Sequence, residues 1–201
     1  MDQDRLRYDV VVSLGANCIP HYHLVRLGRS TCHTPFDQMG TEDLDGLLRY
    51  LHDGCTGLFD VWKMSNSQPC RELVTVKDTR YNIVTPHYFA MADGTLSNYE
   101  AAMKEVRSLE WGFRALAGAG VKCLGIRTRT SLEHCALLRH QLNQLGTTVF
   151  DICCVCRDKV DEVTRFSAGE GVFGYSIPLR LPQDPWWGSN TSWDVVLGDI
   201  L

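Results

Sequence analysis

A chain of 201 residues with 44% hydrophobic content carries enough apolar material for one domain with its own core. A net charge of −4 with no basic block argues against nucleic acid as a partner, and no apolar run approaches the length of a membrane span, which argues against a membrane. The charged start, MDQDRLRYD, lacks an apolar signal segment, so the cytoplasm is the expected location.

Nine cysteines raise the question of disulfides. The odd count and the expected reducing compartment argue for free thiols. Cys153, Cys154 and Cys156 sit in the apolar run VFDICCVC without the paired CxxC spacing of a zinc site, so they read as core residues. No metal and no cofactor is expected.

In chain order, Tyr8 to Leu14 is apolar and β-branched and reads as the first strand. Gly15 breaks it, and Asn17, Cys18 and Pro20 open a helix that stops at Gly28. A loop follows with Pro35, Phe36 and Asp37. Thr41 reads as the cap of a second helix, with Leu44, Leu47, Leu48 and Leu51 at helical spacing up to Gly54.

Residues 55–95 have poor periodicity and read as an irregular insertion or lid over the site. Ser97 and Glu100 form a capping box before a helix with Met103, Val106, Leu109, Phe113 and Leu116 on one stripe. Lys122 to Thr128 reads as a buried strand. Thr130 and Glu133 form a second box before the helix of Leu132 to Leu145. Thr148 to Val155 reads as a strand, Asp158 to Phe166 as a short helix, Val172 to Leu179 as a last strand, and the remainder as a Trp-rich tail. This alternation predicts an α/β domain over residues 1–201, with a mostly parallel sheet flanked by helices on both faces.

In such a sheet, ligands bind beyond the carboxyl ends of the strands. Cys18 falls there, at a helix N-terminus whose unpaired amides and partial positive charge favour a thiolate and an oxyanion. Ser13, Gly15, Asn17, Arg127 and Arg129 fall on the same edge as candidate substrate-binding residues, the arginines through their bidentate fork. Among seven histidines, His87 in TPHYF suits a fixed, partly desolvated imidazole, whereas His21 is expected to point along the helix surface. Asp37, Asp194 and Asn190 are candidates to orient the base, and the sequence does not rank them.

The blocks VVSLGANC, HLVRLGR and TPFDQM resemble the opening of an uncharacterised bacterial family described as putative papain-like cysteine peptidases. The matching residues are Ser13, Leu14, Gly15, Cys18, Arg26, Leu27, Gly28, Pro35, Phe36 and Asp37, with weaker likeness at Tyr81 and His87, at Ile126, Arg127 and Thr128, and at Trp187 and Trp193. Gln38 stands where the family has Trp, and papain's own Cys-Gly-Ser-Cys-Trp context does not occur. The resemblance implies Cys18 as nucleophile and His87 as base. The expected activity is a cysteine-dependent hydrolase or acyltransferase acting on a small-molecule, peptidyl or carrier-bound acyl substrate. The alternative is a non-catalytic module that binds an anionic ligand at the strand edge. The oligomeric state is not legible.

Overall fold

Strand and helix alternate because apolar period-2 runs are separated by amphipathic period-3.6 runs, and the computed structural model shows how they stack. The structure describes residues 8–29, 32–41, 43–64, 73–179 and 184–200. The N-terminal segment before Tyr8, part of the predicted insertion and part of the Trp-rich tail lie outside the described residues.

The strands are β1 (Val10–Ser13), β2 (Trp62–Met64), β3 (Leu73–Asp78), β4 (Val84–Ala92), β5 (Thr95–Leu96), β6 (Lys122–Thr128), β7 (Val149–Asp158), β8 (Thr164–Gly169) and β9 (Val172–Pro178). The helices are α1 (Ile19–Arg26), α2 (Leu44–His52), α3 (Tyr99–Ala117), α4 (Leu132–Leu142) and α5 (Asn190–Ile200). The main sheet runs β1-β6-β7-β9-β8, parallel except for the β8–β9 hairpin at one edge. Alternate residues of its strands feed two cores. Val12, Cys123, Ile152 and Cys154 pack under α2, α3 and α4. Val11, Leu124, Ile126 and Cys153 pack under α1 and α5. This is the three-layer α/β arrangement, and Cys153 and Cys154 of β7 are core residues on opposite faces, whereas Cys156 is half-buried.

The described residues of 55–96 include a second, antiparallel sheet, β2-β3-β4-β5, where the sequence predicts an irregular insertion. Strands β2 and β5 are short, and the β3–β4 pairing shifts register between Val74 and Val76, which breaks the alternation that reveals a strand. A two-residue bridge between Gly40 and Val84 hangs this sheet on the loop after α1, and Thr85 Oγ1 donates to the Gln38 carbonyl at 3.2 Å. That docking carries β4 to the edge of the main sheet.

Other local readings shift in the structure. Asp43, not Thr41, caps α2, accepting from the amides of Asp45 and Gly46. The Ser97–Glu100 box does not form, because Asn98 precedes α3 and uses its side chain to bond Ala90 N and Tyr88 O instead. Ser131 rather than Thr130 caps α4. The expected helix over 158–166 is instead the end of β7, a bend holding Lys159, Asp161 and Glu162, and the start of β8. The tail forms α5. No helix among the described residues is long and apolar enough to cross a membrane.

Candidate functional site

The site begins where β1 ends. Gly15 (φ 72°) and Ala16 (φ 64°) are both left-handed, which turns the chain sharply out of the sheet. A Cβ on Gly15 would stand 2.7 Å from Thr41 Oγ1. Thr41 in turn accepts a bond from Ala16 N at 2.9 Å, so the turn is clamped. Ala16 carries this conformation with a Cβ, a cost of about 1 kcal/mol that the surrounding bonds hold in place. Asn17 Oδ1 accepts from Ile19 N at 3.0 Å and from Thr128 Oγ1 at 3.1 Å, tying the start of α1 to the end of β6. Cys18 is the N-cap residue, with Pro20 in the first turn. The backbone N–H groups of Asn17 and Cys18 donate to no oxygen among the described residues, and the Cys18 amide lies against its own sulfur.

Cys18 lines a cavity of about 540 Å³ whose opposite wall comes from β3 and β4, including Thr75, Val84 and His87. A smaller adjoining groove is lined by Cys18, His21, Gln38, His87 and Trp186. Cys18 and His87 therefore line the same two spaces, one from the N-cap of α1 and the other from β4. His87 lies in strand β4 rather than a loop, with its amide bonded to Thr85 Oγ1 at 3.2 Å. Burial lowers the His87 imidazole from its ordinary value. Burial also pushes the Cys18 thiol up, against a smaller downward pull from its own backbone amide and from Arg129. The expectation of a spontaneous thiolate at the helix start is thus reversed, because desolvation of the charged sulfur outweighs the amide field.

The other sequence candidates are dispersed. Asp37 is buried, and Thr34 fixes both its oxygens: Thr34 N donates to Oδ2 and Thr34 Oγ1 to Oδ1, each at 3.0 Å. Its Oδ2 then meets Nδ1 of His21 at 3.2 Å and Nδ1 of His33 at 3.3 Å, not His87. Asp194, on α5, pairs with Arg26 at the far end of α1. Ser13 is buried and its Oγ accepts from Gly15 N at 3.3 Å, so it shapes the turn. Arg127 is buried as well. Its guanidinium donates to Leu14 O at 2.7 Å, to Thr41 Oγ1 at 2.9 Å and to Thr41 O. It is a bracket between β1, β6 and the loop rather than a cavity residue, and desolvation lowers its pKa to about 10.

Arg129 (φ 50°) does reach a cavity, a second one of about 440 Å³ beyond the ends of β6, β7 and β9, which it lines with Asn17, Thr130, Cys156, Arg157 and Asp158. Asn17 belongs to both large cavities and separates them. Sequence reading missed two features here. One is Arg157, visible only as the residue two positions past an apolar strand. The other is the convergence of His21, His33 and Asp37, whose ligand atoms lie within 4.8 Å of one another and could hold a metal ion. The i,i+4 spacing of His33 and Asp37 was its one local signal.

No curated protein and no solved structure matches the chain. Residues 9–98, which contain the Cys18 turn, α1, the Asp37 loop and His87, match the family model described as "Putative papain-like cysteine peptidase".

Proposed function

We propose that the chain is a cysteine-dependent acyl hydrolase or acyltransferase, with Cys18 as nucleophile and His87 as general base. The observation that carries this reading is the shared cavity: the sulfur at the N-cap of α1 and the imidazole on β4 line one space of about 540 Å³. A thiol pushed up and an imidazole pushed down rest as the neutral pair, so His87 takes the proton as sulfur attacks rather than beforehand. The amides of Asn17 and Cys18 receive the oxyanion. As it collapses, the bond from the acyl carbon to the leaving amine, alcohol or thiol breaks and His87 returns its proton to that group. The acyl group then passes from sulfur to water or an amine, which restores the thiol. His87 is oriented by its strand and by Pro86, without Asp37 or Asp194. The test is intact-mass trapping of the acyl-enzyme after brief exposure to activated esters and thioesters. One acyl adduct on Cys18, slowed about 100-fold in His87→Ala, supports the reading. Full turnover of a confirmed substrate by Cys18→Ala overturns it.

A second reading rests on the other cavity. Arg129 and Arg157 on its wall suit recognition of a carboxylate or phosphate at the strand edge without covalent chemistry. It predicts anion binding that survives Cys18→Ala and weakens in Arg129→Ala, read by calorimetry.

A further inference from the structure

We propose that His21, His33 and Asp37 form a binding site for a divalent transition-metal ion, with Zn²⁺ the foremost candidate. The inference stands apart from the acyl-transfer reading and does not require it. Two imidazoles from different segments, one on α1 and one in the following loop, direct the same ring atom, Nδ1, at the same carboxylate oxygen. The ring centroids are 5.5 Å apart and tilted by 57°, so the rings converge rather than stack.

The spacing suits both a hydrogen bond and a shared ion: His33 Nδ1 and Asp37 Oδ2, 3.3 Å apart, meet hydrogen-bond geometry when no metal is bound. Two ligand atoms of a tetrahedral zinc ion, each about 2.0–2.1 Å from the metal, lie about 3.3 Å apart. The observed separations from Asp37 Oδ2, 3.2 and 3.3 Å, match two such edges, and all three ligand atoms lie within 4.8 Å of one another, close enough for one ion to draw them together. Two imidazoles and a carboxylate are also the donor set that suits zinc and its neighbours over calcium or magnesium.

The supporting shell is built as well. Asp37 is buried and both oxygens are fixed by Thr34, the kind of outer contact that orients a ligating carboxylate. His21 is mostly buried and its backbone is fixed by α1, while His33 is exposed and opens the site to solvent. Three protein ligands leave a fourth position for water or substrate. An ion there would pin α1, the helix that Cys18 begins, to the Thr34–Asp37 turn.

The experiment is Co²⁺ titration of the full chain in a Cys18→Ser background, followed by visible absorption, with Zn²⁺ competition. Cysteine ligation gives a sulfur charge-transfer band in the near ultraviolet, whereas this site predicts d–d absorption without it. The expected result is one Co²⁺ per chain, displaced by Zn²⁺, with affinity reduced by about 100-fold or more in His33→Ala and in Asp37→Asn. His33 is exposed, so its loss tests the site without unfolding the chain. Nitrogen-15 spectra of the imidazoles should show Nδ1 of both histidines shifting on Zn²⁺ addition. Absence of the d–d spectrum, a sulfur band in its place, or undiminished binding in His33→Ala would overturn the proposal. Loss of acyl transfer would not touch it.

Discussion

Cys18, at the N-cap of α1, and His87, on β4, line one cavity, and burial moves their proton affinities apart, the thiol upward and the imidazole downward. A resting ion pair forms only where the thiol is the stronger acid, so the resting site is neutral. The rate of Cys18 alkylation should then rise with an apparent pKa above the roughly 8.5 of a free thiol. Acyl transfer should fall on acidification as His87 takes a proton, with a midpoint below its ordinary 6.5, because the lowered pKa keeps it neutral to lower pH. Peptide mapping of alkylation across pH, together with a rate profile, reads both. An alkylation pKa well under 8.5 would show that the helix start overrides burial.

The separation of Asp194 from His87 gives a sharp contrast. Its carboxylate is half exposed and engages Arg26. Asp194→Asn should cost under about 1 kcal/mol in a urea titration and leave Cys18 acylation unchanged. A large loss of acylation with stability intact would restore it as an orienting residue.

What could be read in advance was local. Cys18 stood out because strand, Gly turn and helix start are adjacent in sequence, and the parallel sheet followed from strand–helix alternation. The antiparallel sheet of β2 to β5 was hidden because its outer strands are short and its β3–β4 pairing is bulged. The approach to β8 was misread because the charged bend of Lys159, Asp161 and Glu162 carries polar residues at spacings a helix also allows. The partners of Asp37 were missed since helix α1 was expected to turn His21 along the surface, while Thr34 aims the carboxylate at it. Arg127 was misjudged because arginine is rarely buried, and only the fold reveals the carbonyls of Leu14 and Thr41 waiting for it.

Gly15 tests the turn that presents the sulfur. Its left-handed φ penalises any side chain, and the added Cβ would press on Thr41 Oγ1 at 2.7 Å. Gly15→Ala should destabilise by about 1–3 kcal/mol and displace Cys18 enough to slow acylation. Denaturant unfolding and acyl-enzyme formation, measured on one preparation, separate these effects. Unchanged values for both would mean the turn is less constrained than its geometry implies.

Arg127 tests the bracket. Replacing it with Leu strands the carbonyls of Leu14 and Thr41 in the interior, at about 1–3 kcal/mol for each unsatisfied group. Arg127→Leu should lower the melting temperature by roughly 10 °C. A direct role in substrate binding would instead show as a raised KM with stability preserved.

His23 gives the protein a built-in acid sensitivity. The ring is fully buried and stacked on Trp193, with centroids 4.6 Å apart and planes within 12°. Its Nδ1 accepts from Arg26 Nε at 3.3 Å, so Nε2 carries the proton and donates to Trp187 O at 3.2 Å. Both nitrogens are satisfied in the neutral form, and a second proton would set Nδ1–H against Arg26 Nε–H. Burial, with Arg26 adding to it, holds the pKa down to about 4 from its ordinary 6.5. The folded pKa lies below the unfolded one, so the unfolded chain gains a proton first as pH falls. Stability should therefore be full above pH 6.5 and decline by about 1.4 kcal/mol per pH unit toward pH 4, about 3 kcal/mol in all. Urea titrations at pH 7 and pH 4.5 measure the loss. His23→Phe keeps the stack on Trp193 and removes the titration, so its acid loss should be smaller by most of that amount. An equal loss in both proteins would place the acid sensitivity elsewhere.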